Sequence, residues 1–239
     1  MDNSHAFLFY TMNKRIVIIA AGGTGSRINA DLPKQYMLLN DKPVLMHTIA
    51  AFVECSDLIV VALHSDMVQY WTELCLKYDF VVPHEMVIGG KTRFQSIRNA
   101  INFIEQRFPD VFYEEGNSIA VHDAARPLVD KELIEKSFEL AEKGQCNVLA
   151  TRSTNSIRLG GVADNKAVDR DTVWQIQTPQ TFPAHLLLQA YRQPEEPLFT
   201  DDASVIEKIG YPIHLLESSP KNIKITYAED FEIAKIYMK

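Results

Sequence analysis

The chain has 239 residues, which is enough for one large domain or two small ones with a substantial core. Its formal net charge of −7 argues against broad electrostatic binding to nucleic acid or to an anionic membrane. Its three cysteines match neither a disulfide framework nor a zinc site, and no apolar run reaches the roughly 20 residues of a transmembrane helix, so we predict a cytoplasmic protein.

The N-terminal residues 1–11 lack both the basic and the apolar region of a signal peptide. A second methionine, Met12, follows them, so we expect this stretch to be a disordered extension. The first strand is predicted at residues 16–20, which are continuously apolar, as is typical of a central parallel strand.

Apolar β-rich runs alternate with helical patterns along the rest of the chain. This alternation is typical of an α/β fold with a mostly parallel sheet and helices on both faces. We expect a single domain over residues 1–239. Further strands are predicted at residues 58–63, 81–88, 118–122 and 146–151, and helices at residues 43–54, 66–77, 92–108, 130–143, 183–191, 201–209 and 228–238.

One segment, residues 152–175, breaks this alternation. It contains Gly160-Gly161 and Asp164-Asn165 between two extended stretches and has no helical stripe. Such a pattern predicts a long β-hairpin arm that projects from the domain.

A glycine-rich loop, residues 20–27, follows the first strand and could hold phosphate with its backbone N–H groups. It is neither a Walker loop, which needs Gly-Lys-Ser/Thr, nor a dinucleotide fingerprint, since Ile28 stands at the third glycine position. A tight turn without a ligand is the alternative. Arg27 and Lys34 flank the loop, where both could reach a triphosphate.

Two further crevice loops carry candidate ligands. Asp123 ends a buried strand, where a carboxylate oxygen could bind Mg²⁺, although it could also cap the following turn. Residues 89–93 form a second glycine-bearing loop that leads into a helix containing Ser96.

Polar residues near the C-terminus are suited to a phosphorylated acceptor that carries hydroxyl groups. They occur in residues 167–170, 177–180, 200–204 and 222–226, which include Arg170 and Lys224. For Asp201 and Asp202, a simple favourable interaction with a helix N-terminus is the alternative.

Together, these motifs resemble the 2-C-methyl-D-erythritol 4-phosphate cytidylyltransferase family of the non-mevalonate isoprenoid pathway, and they occur in family order from about Ile16 onward. The resemblance implies a Rossmann-like domain, Mg²⁺ as the cofactor and a homodimer formed through the arm. It also implies that CTP and 2-C-methyl-D-erythritol 4-phosphate react by direct in-line attack to give 4-diphosphocytidyl-2-C-methyl-D-erythritol and pyrophosphate.

The resemblance also implies residue roles. Arg27 and Lys34 would stabilise the transition state, and Asp123 would hold Mg²⁺. Nucleotide contacts are implied for Ala21, Gly22, Gly23, Gly25, Gly90, Ser96 and Ala124. Contacts to the acceptor are implied for Arg126, Ser156, Arg170, Thr178, Thr200 and Lys224, of which Arg170 and Lys224 belong to the catalytic set. Ser156 stands where the family usually has threonine.

Several alternatives stay open at this point. A ribitol 5-phosphate cytidylyltransferase is the main rival, and a sugar-nucleotide pyrophosphorylase that uses another base is a weaker one. A nucleotide-binding regulator without catalysis is disfavoured by Arg27, Lys34, Asp123 and Lys224. An NAD-dependent dehydrogenase is disfavoured by the incomplete fingerprint.

Overall fold

The structure is a computed structural model that describes residues 13–23 and 32–239. The predicted extension at residues 1–11 and two predicted site residues, Gly25 and Arg27, lie outside the described residues. In chain order the strands are β1 (Arg15–Ala21), β2 (Leu38–Leu39), β3 (Lys42–Pro43), β4 (Leu58–Leu63), β5 (Glu85–Ile88), β6 (Ser118–Asp123), β7 (Asn147–Arg152), β8 (Ile157–Gly160), β9 (Asn165–Val168), β10 (Trp174–Pro183) and β11 (His214–Glu217). The α-helices are α1 (Val44–Phe52), α2 (Val68–Lys77), α3 (Arg93–Arg107), α4 (Lys131–Glu142), α5 (Ala184–Tyr191), α6 (Asp202–Lys208) and α7 (Glu229–Tyr237).

Seven strands form the central sheet in the order β11-β7-β10-β6-β1-β4-β5. β1 pairs in parallel with both β4 and β6, whereas β10 is antiparallel to β6 and β7. The chain moves from β1 outward to β5 and then returns through α3 to β6 on the other side of β1. Because the strand order reverses between β1 and β6, a crevice opens beyond the C-terminal ends of these strands.

Alternate residues of β1 face opposite sides of the sheet, as a strand's two-residue period requires. Ile16 and Ile18 pack with residues of α3, α5 and α6. Val17 and Ile19 pack with residues of α1, α2 and α4. The predicted α/β fold, with a mostly parallel sheet covered on both faces, is confirmed. No helix in the described part of the chain is long and apolar enough to cross a membrane.

The predicted hairpin is present, but it is shorter than expected. β8 and β9 pair with each other as a separate two-stranded sheet, and most of their side chains are exposed. The predicted limits, residues 152–175, are too wide because Arg152 ends β7 and residues 174 and 175 begin β10. These two strands pair at the base of the hairpin, where the Arg152 guanidinium lies 4.4 Å from the Trp174 ring centroid.

Among the strands of the central sheet, three were predicted incompletely or not at all; the two-residue strands β2 and β3, outside that sheet, were not predicted either. The strand predicted at residues 81–88 begins only at Glu85; Pro83, which lacks an N–H group, precedes it. β10 was not predicted because its sequence is rich in glutamine and threonine, which do not show the apolar pattern of a buried strand. β11 is a short edge strand whose burial does not alternate cleanly.

Candidate active site

A pocket of about 420 Å³ lies at the crevice where the strand order reverses. The loops that follow β1, β5 and β6 all contribute to its wall. It brings together eight of the residues predicted from sequence: Gly22, Gly23, Lys34, Gly90, Ser96, Asp123, Ala124 and Lys224.

The loop after β1 is held by a side chain that follows it in sequence. The amide of Gln35 donates to the carbonyl oxygens of Ala21 and Gly23, at 2.9 and 2.8 Å. Gln35 is buried and belongs to the short 3₁₀ turn Lys34–Tyr36, so these bonds also place Lys34 beside the glycine loop. Ala21 is itself buried and is absent from the pocket wall, but its carbonyl oxygen accepts from Gln35, which lines that wall.

The loop after β5 closes onto the first turn of α3. The Ser96 hydroxyl accepts from the Gly90 N–H at 3.0 Å and donates to the Thr92 carbonyl oxygen at 2.8 Å. A Cβ atom at Gly90 would lie 2.2 Å from the Cβ of Gln95, so only glycine fits this close approach. Thr92 caps α3, and the helix N-terminus therefore borders the pocket with its partial positive charge.

Asp123 lies at the C-terminal end of β6 among three cations. Its Oδ2 atom is 2.9 Å from Lys224 Nζ and 3.3 Å from Arg126 Nε, and its Oδ1 atom is 3.8 Å from Arg93 Nε. Burial alone would raise the pKa of Asp123, but Lys224, Arg93 and Arg126 outweigh it and hold that pKa well below its ordinary value. Asp123 is therefore an anion at neutral pH.

The backbone that carries Asp123 is fixed by Thr178 and His122. The Thr178 hydroxyl accepts from the Asp123 N–H at 3.0 Å and lies 3.1 Å from His122 Nδ1. His122 Nε2 lies 3.0 Å from the Arg126 carbonyl oxygen, which can only accept, so Nε2 carries the proton and Nδ1 accepts from Thr178. Burial lowers the pKa of His122 to about 4, which keeps this ring neutral.

We expect this neutral histidine to make folding stability depend on pH. The unfolded state takes up a proton below a pKa of 6.5, whereas the folded state takes it up only near 4, so stability falls as the pH drops between these values. The contribution should be about 2 kcal/mol between pH 7 and pH 5. Urea unfolding at both pH values should therefore show a smaller loss in His122→Gln than in the unmodified chain. An equal loss would contradict the neutral His122.

The same geometry is suitable for a magnesium ion. Lys224 and Arg126 form their ion pairs at Oδ2 of Asp123, whereas the ion pair with Arg93 is formed at Oδ1 and is longer, at 3.8 Å. Residues 13–23 and 32–239 contain no cluster of three histidine, cysteine or acidic side chains that could hold a metal ion. Mg²⁺ commonly takes one or two carboxylates and completes its octahedron with phosphate oxygens and water, so a single Asp123 fits this mode.

The remaining predicted acceptor residues are not part of the pocket wall. Arg126 is buried and donates from Nη1 to the Asn222 carbonyl oxygen at 2.8 Å, in addition to its contact with Asp123. Thr178 is buried and supports Asp123 as described. Thr200, Ser156 and Arg170 are exposed, and Arg170 donates to the Thr154 carbonyl oxygen at 3.3 Å within the arm. Substrate contacts of these residues stay predictions.

Sequence reasoning assigned no individual role to several residues of the pocket wall, among them Gln35, His64 and Arg93. Gln35 and Arg93 lie within motifs that were noted, next to Lys34 and after Gly90, but glutamine and arginine there could equally have been surface residues. Their roles depend on partners that only the fold brings close, such as Asp202 for Arg93.

The comparisons with known proteins decide the family. The profile described as IspD, 2-C-methyl-D-erythritol 4-phosphate cytidylyltransferase, matches residues 15–239. The chain belongs to this family. The resemblance inferred from the motifs is thereby confirmed, and the matched range begins with β1 and runs to the last residue.

Individual members of the cytidylyltransferase family align with this chain over nearly their whole length. The protein of that name from Porphyromonas gingivalis is 45% identical over 226 residues, which cover 94% of this chain and 98% of the relative. The one from Bacteroides thetaiotaomicron is 39% identical over 222 residues, covering 92% of this chain and 97% of the relative.

Solved structures of cytidylyltransferases support the same fold. A 4-diphosphocytidyl-2C-methyl-D-erythritol synthase aligns with a TM-score of 0.78 at 28% identity, covering 95% of this chain and 99% of the other. The Francisella tularensis 2-C-methyl-D-erythritol 4-phosphate cytidylyltransferase aligns with a TM-score of 0.74 at 32% identity, covering 94% of this chain and 100% of the other.

Proposed function

We propose that the chain transfers the cytidylyl group of CTP to 2-C-methyl-D-erythritol 4-phosphate, giving 4-diphosphocytidyl-2-C-methyl-D-erythritol and pyrophosphate. The observation that supports this most strongly is the pocket itself. In a chain of this family, it gathers two glycine loops, the ionised Asp123 and three lysines, Lys34, Lys91 and Lys224, around one cavity.

The proposed reaction needs no general base. The nucleophile is a phosphate oxygen of the acceptor, which is already anionic at neutral pH. The pocket must instead align two anions that repel each other and neutralise the charge that develops on the α-phosphate and the departing pyrophosphate. Lys34 lines the pocket beside the glycine loop and would do this together with Arg27, which lies outside the described residues.

Mg²⁺ belongs to the same proposal. Asp123 would hold the ion through its carboxylate, and the ion would supply positive charge next to the triphosphate. Lys224, now 2.9 Å from Asp123, borders the pocket and would contact the acceptor's phosphate. Arg126 and Thr178 would act on the acceptor side mainly by fixing Asp123 and its loop.

The exposed arm supports a homodimer with shared sites. Ser156 and Arg170 lie in the arm and are absent from the wall of their own chain's pocket. We propose that the arm mediates dimerisation and brings these residues to the partner's acceptor site. A cytoplasmic location is also proposed, since CTP and a phosphorylated acceptor are charged metabolites and the three cysteines are free thiols.

Mixing two inactive variants tests the shared site. Arg170→Ala chains co-refolded with Lys34→Ala chains should recover roughly a quarter of the activity, because half the dimers are hybrids and each hybrid has one complete site. Pyrophosphate release gives the activity, and sedimentation verifies that hybrids form. If hybrids form and activity stays at the parental level, Arg170 acts in its own chain or only in structure.

Pyrophosphate release with a substrate panel tests the proposed function as a whole. Each of the four ribonucleoside triphosphates is paired with methylerythritol phosphate and with ribitol 5-phosphate, with and without Mg²⁺. CTP with methylerythritol phosphate and Mg²⁺ should give the largest kcat/KM. A larger value for ribitol 5-phosphate, or for another base, would assign the chain a different substrate.

A further inference from the structure

Arg93, the first residue of α3, lies between two carboxylates. Its Nη1 and Nη2 atoms donate to Oδ1 and Oδ2 of Asp202 at 2.8 and 2.5 Å. Its Nε edge faces Oδ1 of Asp123 at 3.8 Å. The Tyr191 hydroxyl also donates to Asp202, at 2.5 Å. Asp202 is fully buried, and it links α6 to α3 across 109 positions of sequence.

Helix capping does not explain this buried carboxylate. Asp201 provides the cap: it accepts from the Ser204 N–H at 3.0 Å and forms a capping box with Ser204. Asp202 is directed instead at Arg93. A buried ion pair of this kind contributes little net stability relative to apolar residues of the same volume, so stability is a weak reason for its presence.

The pair is better explained by what it does to the pocket wall. Burial alone would lower the pKa of Arg93, but Asp202 outweighs it and raises that pKa, so the guanidinium stays charged. Asp202 accepts from two of the five N–H groups of the Arg93 guanidinium and thereby fixes the plane of that group. Arg93 borders the pocket, but its Nε atom lies 3.8 Å from Oδ1 of Asp123, beyond hydrogen-bond distance. Arg93 therefore makes no bidentate contact with Asp123.

We propose that Arg93 is a further nucleotide-binding residue of this pocket, contacting a phosphate oxygen of the triphosphate, and that Asp202 is its positioning residue. The inference rests on the proposed function, since it takes CTP as the ligand. Tyr191 supports Asp202 through its hydroxyl, while its ring stacks on Phe94, with centroids 4.7 Å apart.

A double-mutant cycle on CTP binding tests this chain of contacts. Asp202→Asn and Arg93→Gln should each weaken CTP binding about tenfold, measured by titration calorimetry with Mg²⁺ and no acceptor. The double variant should be no weaker than the weaker single variant, because Asp202 acts only through Arg93. The acceptor's KM should stay within about twofold of its value in the unmodified chain. General distortion of the site would instead weaken CTP binding and raise the acceptor's KM together.

Asp130→Asn is the matched control, since Asp130 caps α4 at an exposed position away from the pocket and asparagine caps helices as well as aspartate. It should leave CTP binding and turnover unchanged. If circular dichroism shows that Asp202→Asn does not fold, Tyr191→Phe replaces it in the cycle, as it removes one hydrogen bond and keeps the ring.

Three outcomes would overturn the inference: normal CTP binding in Arg93→Gln, additive losses in the double variant, or an acceptor KM that rises in parallel with the loss of CTP binding. These outcomes are distinct from failure of the proposed function. If the proposed function were wrong, the unmodified chain itself would not bind or turn over CTP.

Discussion

Asp123→Asn should lower magnesium-dependent turnover by about 10²-fold or more, comparable to the loss of one strong electrostatic group from an active site. The amide nearly preserves the shape of the side chain but removes the negative charge that would bind the metal. It also leaves Lys224, Arg126 and Arg93 without the anion they now surround. A higher magnesium concentration should be needed for half-maximal activity.

The loss must be separated from unfolding, because Arg126 is buried and loses its charged partner. Turnover is therefore measured well below the melting temperature found for the variant by circular dichroism. Asp130→Asn, at the exposed cap of α4, is the control and should behave like the unmodified chain. Near-normal turnover of Asp123→Asn at ordinary magnesium would remove Asp123 from the metal site.

Lys34→Ala should lower kcat by about 10²-fold while changing acceptor KM little. The lysine would act on triphosphate charge that grows during the reaction, and interactions that strengthen in the transition state determine the chemical step. Lys224→Ala should instead raise the acceptor's KM, with some loss of kcat because a misaligned nucleophile attacks poorly. Steady-state kinetics with each substrate varied in turn separates the two effects.

Lys143→Ala, at the exposed end of α4, is the control for loss of a positive charge and should leave both parameters unchanged. The division of roles would be wrong if Lys34→Ala raised acceptor KM at constant kcat. It would be equally wrong if Lys224→Ala lowered kcat alone.

The sequence was informative where local pattern and fold agree. The apolar runs predicted β1, β4 and β6. The two glycine loops follow β1 and β5, and Asp123 ends β6. Because these strands are parallel, all three features meet in one crevice at the C-terminal edge of the sheet. β10 escaped prediction because its buried face is polar: Gln180 donates to Asp201 and accepts from the Ala203 N–H, contacts that no local pattern reveals.

The carboxylates of residues 201 and 202 show the same limit within a single turn of helix. From sequence, both could interact with the helix N-terminus in the same way. The fold separates them, because Asp201 caps α6 whereas Asp202 is buried against Arg93, a residue distant in sequence. Similarly, Thr178 and His122 support Asp123 through hydrogen bonds across β6 and β10, and their spacing in the chain gives no sign of this.

Competition between the two acceptors in one reaction tests the central claim most directly. Equal concentrations of methylerythritol phosphate and ribitol 5-phosphate are incubated with limiting CTP, Mg²⁺ and the full chain, and the products are identified by mass spectrometry. The proposed function predicts that nearly all the cytidylyl group is recovered as 4-diphosphocytidyl-2-C-methyl-D-erythritol, with one pyrophosphate released per product. Predominant CDP-ribitol, or pyrophosphate without either product, would contradict it.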